Sequence, residues 1–145
     1  MKYVNHIVVF SFVACILILV YIGGLVYEEH FPINPADFHA DQIIIQTPKV
    51  QAGGELHYSI PVEKFGVYPA TISGTLISRD RKTAYALKGE TGALPVGNYE
   101  ALNQEVDIPK RVNPDFYSYS RIYLYQVGRR TVIKNYETPL FEVIP

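Results

Sequence analysis

The sequence predicts an all-β domain, an antiparallel two-sheet sandwich of about seven strands, preceded by one N-terminal transmembrane helix. Three observations carry that expectation. Residues 7–27 read IVVFSFVACILILVYIGGLVY without a single charge. Beyond Asp41, apolar and polar residues alternate in short runs that end at Gly, Pro or Asn, the period-2 signature of half-buried strands. Twelve Tyr and seven Phe without Trp, beside ten Gly and ten Pro in 145 residues, favour strands and turns over long helices.

The first element expected is the span at residues 7–27. At about 1.5 Å per residue it would cover roughly 30 Å, a bilayer's hydrocarbon thickness. Ser11 can bond a carbonyl one turn back, and Tyr3, Tyr21 and Tyr27 fall where interfacial rings belong. Lys2 precedes the span while Glu28 and Glu29 follow it. Residues 1–6 are therefore expected in the cytoplasm and the rest outside. A cleaved signal would have a shorter apolar core and an A-x-A site, which Leu25-Val26-Tyr27 lacks. Phe12-Val13-Ala14-Cys15 resembles a lipobox, but apolar residues follow Cys15 where a lipoprotein turns polar. An uncleaved single-pass anchor is the expectation.

Residues 28–41, EEHFPINPADFHAD, carry two prolines and no periodicity, so they are expected to be an extended linker. His30, Asp37, His39 and Asp41 are metal ligands by type. A flexible stalk does not hold ligands in place, so a solvated linker is expected and no metal.

Residues 42–145 read as the sandwich. Ile43 to Thr47 is β-branched and ends at Pro48, and Gly53-Gly54 turns. Leu56, Tyr58, Ile60 and Val62 then alternate with polar residues, and Pro61 marks an edge or a bulge. A strand at residues 70–78 puts Ile72, Gly74 and Leu76 on one side, and Arg79 to Lys82 is a polar turn into a short strand at 83–87. Gly89 to Gly97 reads as a loop, and Leu102, Val106 and Ile108 mark the next strand. Phe116 to Val127 is the longest strand, turned back by Gly128-Arg129-Arg130 into residues 131–136. Pro139 breaks that return before residues 140–144, which finish the same edge.

Val50-Gln51-Ala52-Gly53-Gly54 before the second strand and Asp115-Phe116-Tyr117-Ser118-Tyr119 entering the long one resemble immunoglobulin-like or fibronectin type III-like sandwiches. An Asp-x-Gly-x-Tyr run precedes the tyrosine corner in many such domains. Asp115 and Tyr119 match it, Tyr117 replaces its glycine, and the Cys…Trp…Cys core of antibody domains is absent. The resemblance implies a fold and no activity. An anchor followed by one exported sandwich is also similar in general style to small membrane proteins of bacteria and their phages.

The chemistry is sparse. The net charge of −1, from 13 basic and 14 acidic residues, offers nucleic acid no overall attraction. One Cys excludes a disulfide framework, and Cys15 falls at bilayer depth, where a thiolate is disfavoured. No G-x-S-x-G, H-E-x-x-H or phosphate-loop motif occurs, so no enzyme activity and no cofactor are expected. Glu63 and Glu90 could pair for acid–base work only if the fold brought them together.

The candidate binding residues are Tyr117, Tyr119, Arg121, Tyr123 and Tyr125, which share one parity of the long strand. Exposed, they would form a stripe suited to stacking on sugar rings or gripping a protein. Buried, Tyr117 and Tyr119 would belong to a tyrosine corner and the others to the core, with Arg121 needing a partner. The turns at Arg79/Arg81/Lys82 and Arg129/Arg130 would lie at opposite poles, leaving Arg129 and Arg130 near anionic head groups. The expected role is a non-catalytic module displayed outside the cytoplasmic membrane. It would be held in the bilayer through residues 7–27 and bind a protein partner in the envelope or a virion. Binding of a cell-wall glycan through the tyrosine stripe is the alternative, and membrane lysis fits poorly without a spanning coiled coil or further spans.

Overall fold

The computed structural model describes residues 13–24, 26 and 33–145. The chain divides into two units, Met1–Ile33 and Asn34–Pro145. In the first, residues 13–24 and 26 are helical, and every side chain from Ile16 to Ile22 is exposed. No helix among the described residues is long and apolar enough to cross a membrane. The helical residues 13–24 and 26 all fall within the expected span at 7–27. Its remaining positions, residues 7–12, 25 and 27, lie outside the described residues, as do Lys2, Tyr3 and residues 28–32 of the expected linker.

The second unit is built from two sheets. In the smaller, β4 (Glu55–Lys64) is flanked on one side by β8 (Gly97–Asp107) and on the other by β1 (Ala36–Phe38) and β2 (Ile44–Ile45), all antiparallel. The alternation at Leu56, Tyr58, Ile60 and Val62 buries all four side chains, as their spacing predicts. Pro61 cannot donate to the ladder, and the β4–β8 register shifts between Ile60 and Val62, the expected bulge.

In the larger sheet, β9 (Asp115–Val127) lies between β5 (Ala70–Ser78) and the return strand. Pro139 divides that return into β10 (Arg130–Glu137) and β11 (Phe141–Ile144). Thr138 holds the break closed: its N–H donates to the Tyr119 carbonyl at 2.9 Å, and its Oγ1 accepts from the Tyr119 N–H at 3.0 Å. β3 (Lys49–Gln51) runs parallel to β11 at one edge, while β6 (Ala84–Ala86) and β7 (Glu90–Gly92) share the edge beyond β5. Gly128, at φ 60, takes the first central position of the two-residue β9–β10 turn, where a type II′ hairpin needs φ above zero.

Eleven strands are thus present among the described residues, against about seven expected from turn spacing. The excess comes from edges broken into pieces. A 3-10 turn at Ala40–Gln42 separates β1 from β2, and residues 87–89 separate β6 from β7 inside what reads as strand and loop. The linker expectation is corrected for residues 34–41. Ala36 is fully buried against Lys64 in register, and Phe38 stacks on Tyr123 with ring centroids 4.6 Å apart. A segment without periodicity joins the sheet because three residues are enough to cover an open edge.

Candidate functional site

The site grows from the inward row of β9. Successive side chains of a strand point to opposite faces, so Tyr117, Tyr119, Arg121, Tyr123 and Tyr125 point one way, and all five are buried. The exposed-stripe expectation is thereby corrected. These rings fill the space between the sheets, while Phe116 and Ile122, of the other parity, are exposed. Burial of Tyr117 and Tyr123 is eased by partners for their hydroxyls. Tyr117 donates to the Asn113 carbonyl at 2.9 Å. The Tyr136 hydroxyl lies 2.8 Å from that of Tyr58 and 3.5 Å from that of Tyr123. Burial pushes the hydroxyls of Tyr117, Tyr119 and Tyr125 up to about 12, and raises those of Tyr58, Tyr123 and Tyr136 as well.

The structure brings only three of the five together. Arg121, Tyr123 and Tyr125 line a cavity of about 230 Å³ between the sheets. Its other walls are mostly apolar: Phe38, Val62 and Leu102 from the smaller sheet and Ile72 from β5, with the Gln104 amide beside Arg121 and Gly92, Ala93 and Leu94 completing the lining. Tyr119 borders a different, more polar hollow of about 470 Å³ beside Lys88, Glu90, Glu105 and Asp107. Tyr117 stands at the far end of the strand, against Tyr85 at a ring-centroid distance of 6.0 Å.

Arg121 has the unusual surroundings. Its side chain is 6% exposed, and its guanidinium stays charged at any accessible pH. Nη1 donates to Gln104 Oε1 and, at 3.5 Å, to the Tyr58 hydroxyl. Nη2 meets Glu90 Oε1 at 3.3 Å, and Glu90 is 61% exposed. Nε is buried and has no acceptor. The Tyr123 ring lies 5.4 Å from the guanidinium carbon, and such a contact offsets part of the desolvation cost. Lys64 is a second buried cation, outside this cavity. It donates to the Pro35 carbonyl at 3.3 Å and sits 4.1 Å from the Tyr125 ring centre, and burial lowers its pKa.

Two groups escaped the sequence reading. Gln104, on β8, has no local mark, and the sequence offers Glu90, on β7, only as a possible partner of Glu63 and not of Arg121. Glu55, His57 and Glu105 bring three ligand atoms within 4.8 Å of one another on the outer face of β4 and β8. The Glu-x-His spacing on a strand was the available signal for two of them. The carboxylates lie 3.5 and 3.7 Å from the imidazole nitrogens, a geometry that also serves as two surface ion pairs. Of the stalk ligands, Asp37 is held by Asn34 at 2.8 Å and by Lys134 at 3.3 Å, and these contacts keep its carboxyl below the usual range despite some burial. Glu63 lies on the exposed side of β4, and Glu90 is committed to Arg121.

The basic turns fall at opposite poles, because β5 and β9 pair Ala70 with Tyr125 at one end and Ser78 with Tyr117 at the other. Arg81 pairs with Glu137 at 3.2 Å beside Ser78 and the start of β9. Arg129 and Arg130 flank the other pole, where Gln126 bonds the Pro69 carbonyl.

No protein-family model matches the chain, and a search of the curated proteins finds no match. Among solved structures, the chain is similar to the Pseudomonas fluorescens alkylpurine DNA glycosylase AlkC bound to DNA. The identity is 12% and the TM-score 0.46, over 79% of this chain and 32% of that one. It is also similar to the sporulation control protein Spo0M of Bacillus subtilis, at 15% identity and a TM-score of 0.43 over 77% of this chain and 50% of that one. For the C-terminal domain of wzt the identity is 12% and the TM-score 0.43, over 79% and 77%. The chain spans about a third of the glycosylase and half of Spo0M. Likenesses this remote carry nothing about function.

Proposed function

We propose that the chain is a membrane-tethered, non-catalytic module that displays an immunoglobulin-like sandwich outside the cytoplasmic membrane to bind a protein partner. The observation that carries this reading is where the chain enters the sandwich. Ala36 pairs with Lys64, whose ammonium lies over the ring of Tyr125. The sandwich therefore begins at the pole that carries Arg129 and Arg130 and exposes Phe65 and Val67. A polypeptide held in a bilayer N-terminal to that point would present basic side chains to anionic head groups, each worth about 1 kcal/mol near the surface. The opposite pole and the sheet faces would remain free for a partner. The uncharged run at residues 7–27 and the exposed apolar helix within it support the tether.

The immunoglobulin-like assignment rests on strand order. A three-strand-wide layer, β1/β2–β4–β8, faces β3–β11/β10–β9–β5–β6/β7, with a parallel β3–β11 pair at the edge and a corner tyrosine at Tyr117. The outer face of the larger sheet exposes Phe116, Ile122 and Ile133, apolar surface suited to a protein partner. The glycan alternative needed its tyrosines on the surface and is not carried forward.

The test uses the full chain with a C-terminal epitope tag in a bacterial host. The expected result is retention in membranes through alkaline extraction, with the tag digested by protease added outside the cytoplasmic membrane. Release into the soluble fraction, or a tag protected until the cells are lysed, would overturn the tether. A photo-crosslinking residue at position 133 is expected to give one discrete adduct in membranes, and one at position 105 none.

A further inference from the structure

We propose that the cavity at Arg121 is a binding site for a small organic monocarboxylate with a compact apolar body, a ring or a short branched chain. This inference depends on neither the tether nor the protein partner. Its first support is the shape and lining of the space. An apolar cavity of about 150 Å³ admits a benzene molecule, so about 230 Å³ with an open rim takes a ring or branched chain bearing one more polar group. Phe38, Val62, Ile72 and Leu102 supply the walls for that body.

The second support is the state of Arg121. A guanidinium has five N–H donors. Two on Nη1 go to Gln104 and Tyr58, one on Nη2 goes to Glu90, and the buried Nε donates to nothing. Buried donors are almost always paired, so an orphan in a cavity lining calls for an acceptor. Nε and Nη2 are the two nitrogens of the side-on fork that receives both oxygens of a carboxylate. Glu90 engages that fork with one oxygen on one nitrogen, from a solvent-exposed position where its charge is screened.

The charge inventory selects the class of anion. Arg121 is the only cation in the lining among the described residues, and Lys64 is engaged elsewhere with the Pro35 carbonyl. With the exposed Glu90 carboxylate already on Nη2, the guanidinium has room for no more than one further negative charge. A phosphate would leave further charged oxygens against Val62, Ile72 and Leu102, a desolvation cost that the Gln104 amide, already bonded to the Asn103 carbonyl, does little to offset. A sugar would face the same walls with many unpaired hydroxyls. A monocarboxylate leaves only its apolar part there.

The test is a titration of the full-length protein in neutral detergent micelles, read by NMR at the methyl groups of Val62, Ile72 and Leu102. Local readout separates cavity binding from partition into the micelle. The probes are benzoate and 3-methylbutanoate, against benzamide as the neutral isostere and inorganic phosphate. Saturable shifts at those methyls are expected with both carboxylates in the millimolar range. Benzamide is expected to bind roughly tenfold more weakly, the loss of one charge-assisted hydrogen bond, and phosphate not at all. Glu90→Gln removes a competing anion from an exposed position and is expected to tighten carboxylate binding. Leu102→Phe fills the cavity from a partly exposed position and is expected to abolish the shifts. Equal binding of benzamide, shifts that survive Leu102→Phe, weaker binding in Glu90→Gln, or no saturable shift with either carboxylate would each overturn the proposal.

Discussion

The hydroxyl of Tyr117 donates to the backbone carbonyl of Asn113, 2.9 Å away and four residues upstream. It ties the loop before β9 to the strand it feeds, and the ring above it is almost fully buried. Tyr117→Phe keeps the ring and removes the bond. The expected cost is about 1 kcal/mol, the net worth of one hydrogen bond. It should appear as a lower urea midpoint with an unchanged slope, and an unchanged midpoint would show that the bond contributes nothing.

Gly74 faces the ring of Tyr119, where an added Cβ would stand 2.6 Å from Cε2 and 2.8 Å from Cζ. Tyr119 is buried and borders the hollow beside Lys88 and Glu90, so its ring has to shift for a methyl to fit. Gly74→Ala is expected to destabilise by about 1–3 kcal/mol through overpacking. The same change in a Tyr119→Leu background should cost clearly less. A double-mutant cycle without coupling would place the strain elsewhere.

Alkaline pH should destabilise the sandwich in a defined window. Below pH 10 the hydroxyls of Tyr117, Tyr119 and Tyr125 are protonated in both states and contribute no pH dependence. Above the ordinary tyrosine value of 10 the unfolded chain loses these protons, while the folded one holds them to about 12. The unfolded state then binds fewer protons, so stability falls as pH rises from 10 to 12. Urea midpoints across that range, followed beside the ultraviolet absorbance of phenolate, check it, a free Tyr ionising at about 10. Phenolate absorbance reaching the full value for all twelve tyrosines at about pH 10, before unfolding, would contradict the burial.

Phe38 decides whether β1 belongs to the fold. It stacks on Tyr123 at 4.6 Å and leans on Tyr136 at 5.2 Å. Phe38→Ala is expected to cost about 2–4 kcal/mol, somewhat below a fully buried Phe, and to speed amide exchange at residues 36–38. A linker residue would change stability by no more than about 0.5 kcal/mol.

Much of this was legible from sequence alone, and for a local reason. Alternation at Leu56–Val62, the bulge at Pro61, the turn at Gly128 and the break at Pro139 depend on φ/ψ preferences and side-chain parity within a few residues. The long strand and its return were legible on the same grounds. Which face of Phe116–Val127 lies inside was not, because both parities are mixed and only the opposing sheet chooses between them. Tyr58 and Gln104 do so from the smaller sheet, meeting Tyr136 and Arg121 across the core. Arg121 can be buried there because Gln104 and Glu90, 17 and 31 residues away in the chain, arrive beside it. The cavity, the orphan Nε and the conversion of residues 36–38 from stalk to strand follow from that long-range assembly. A sheet's inward face is defined by what packs on it, and that partner is distant in sequence.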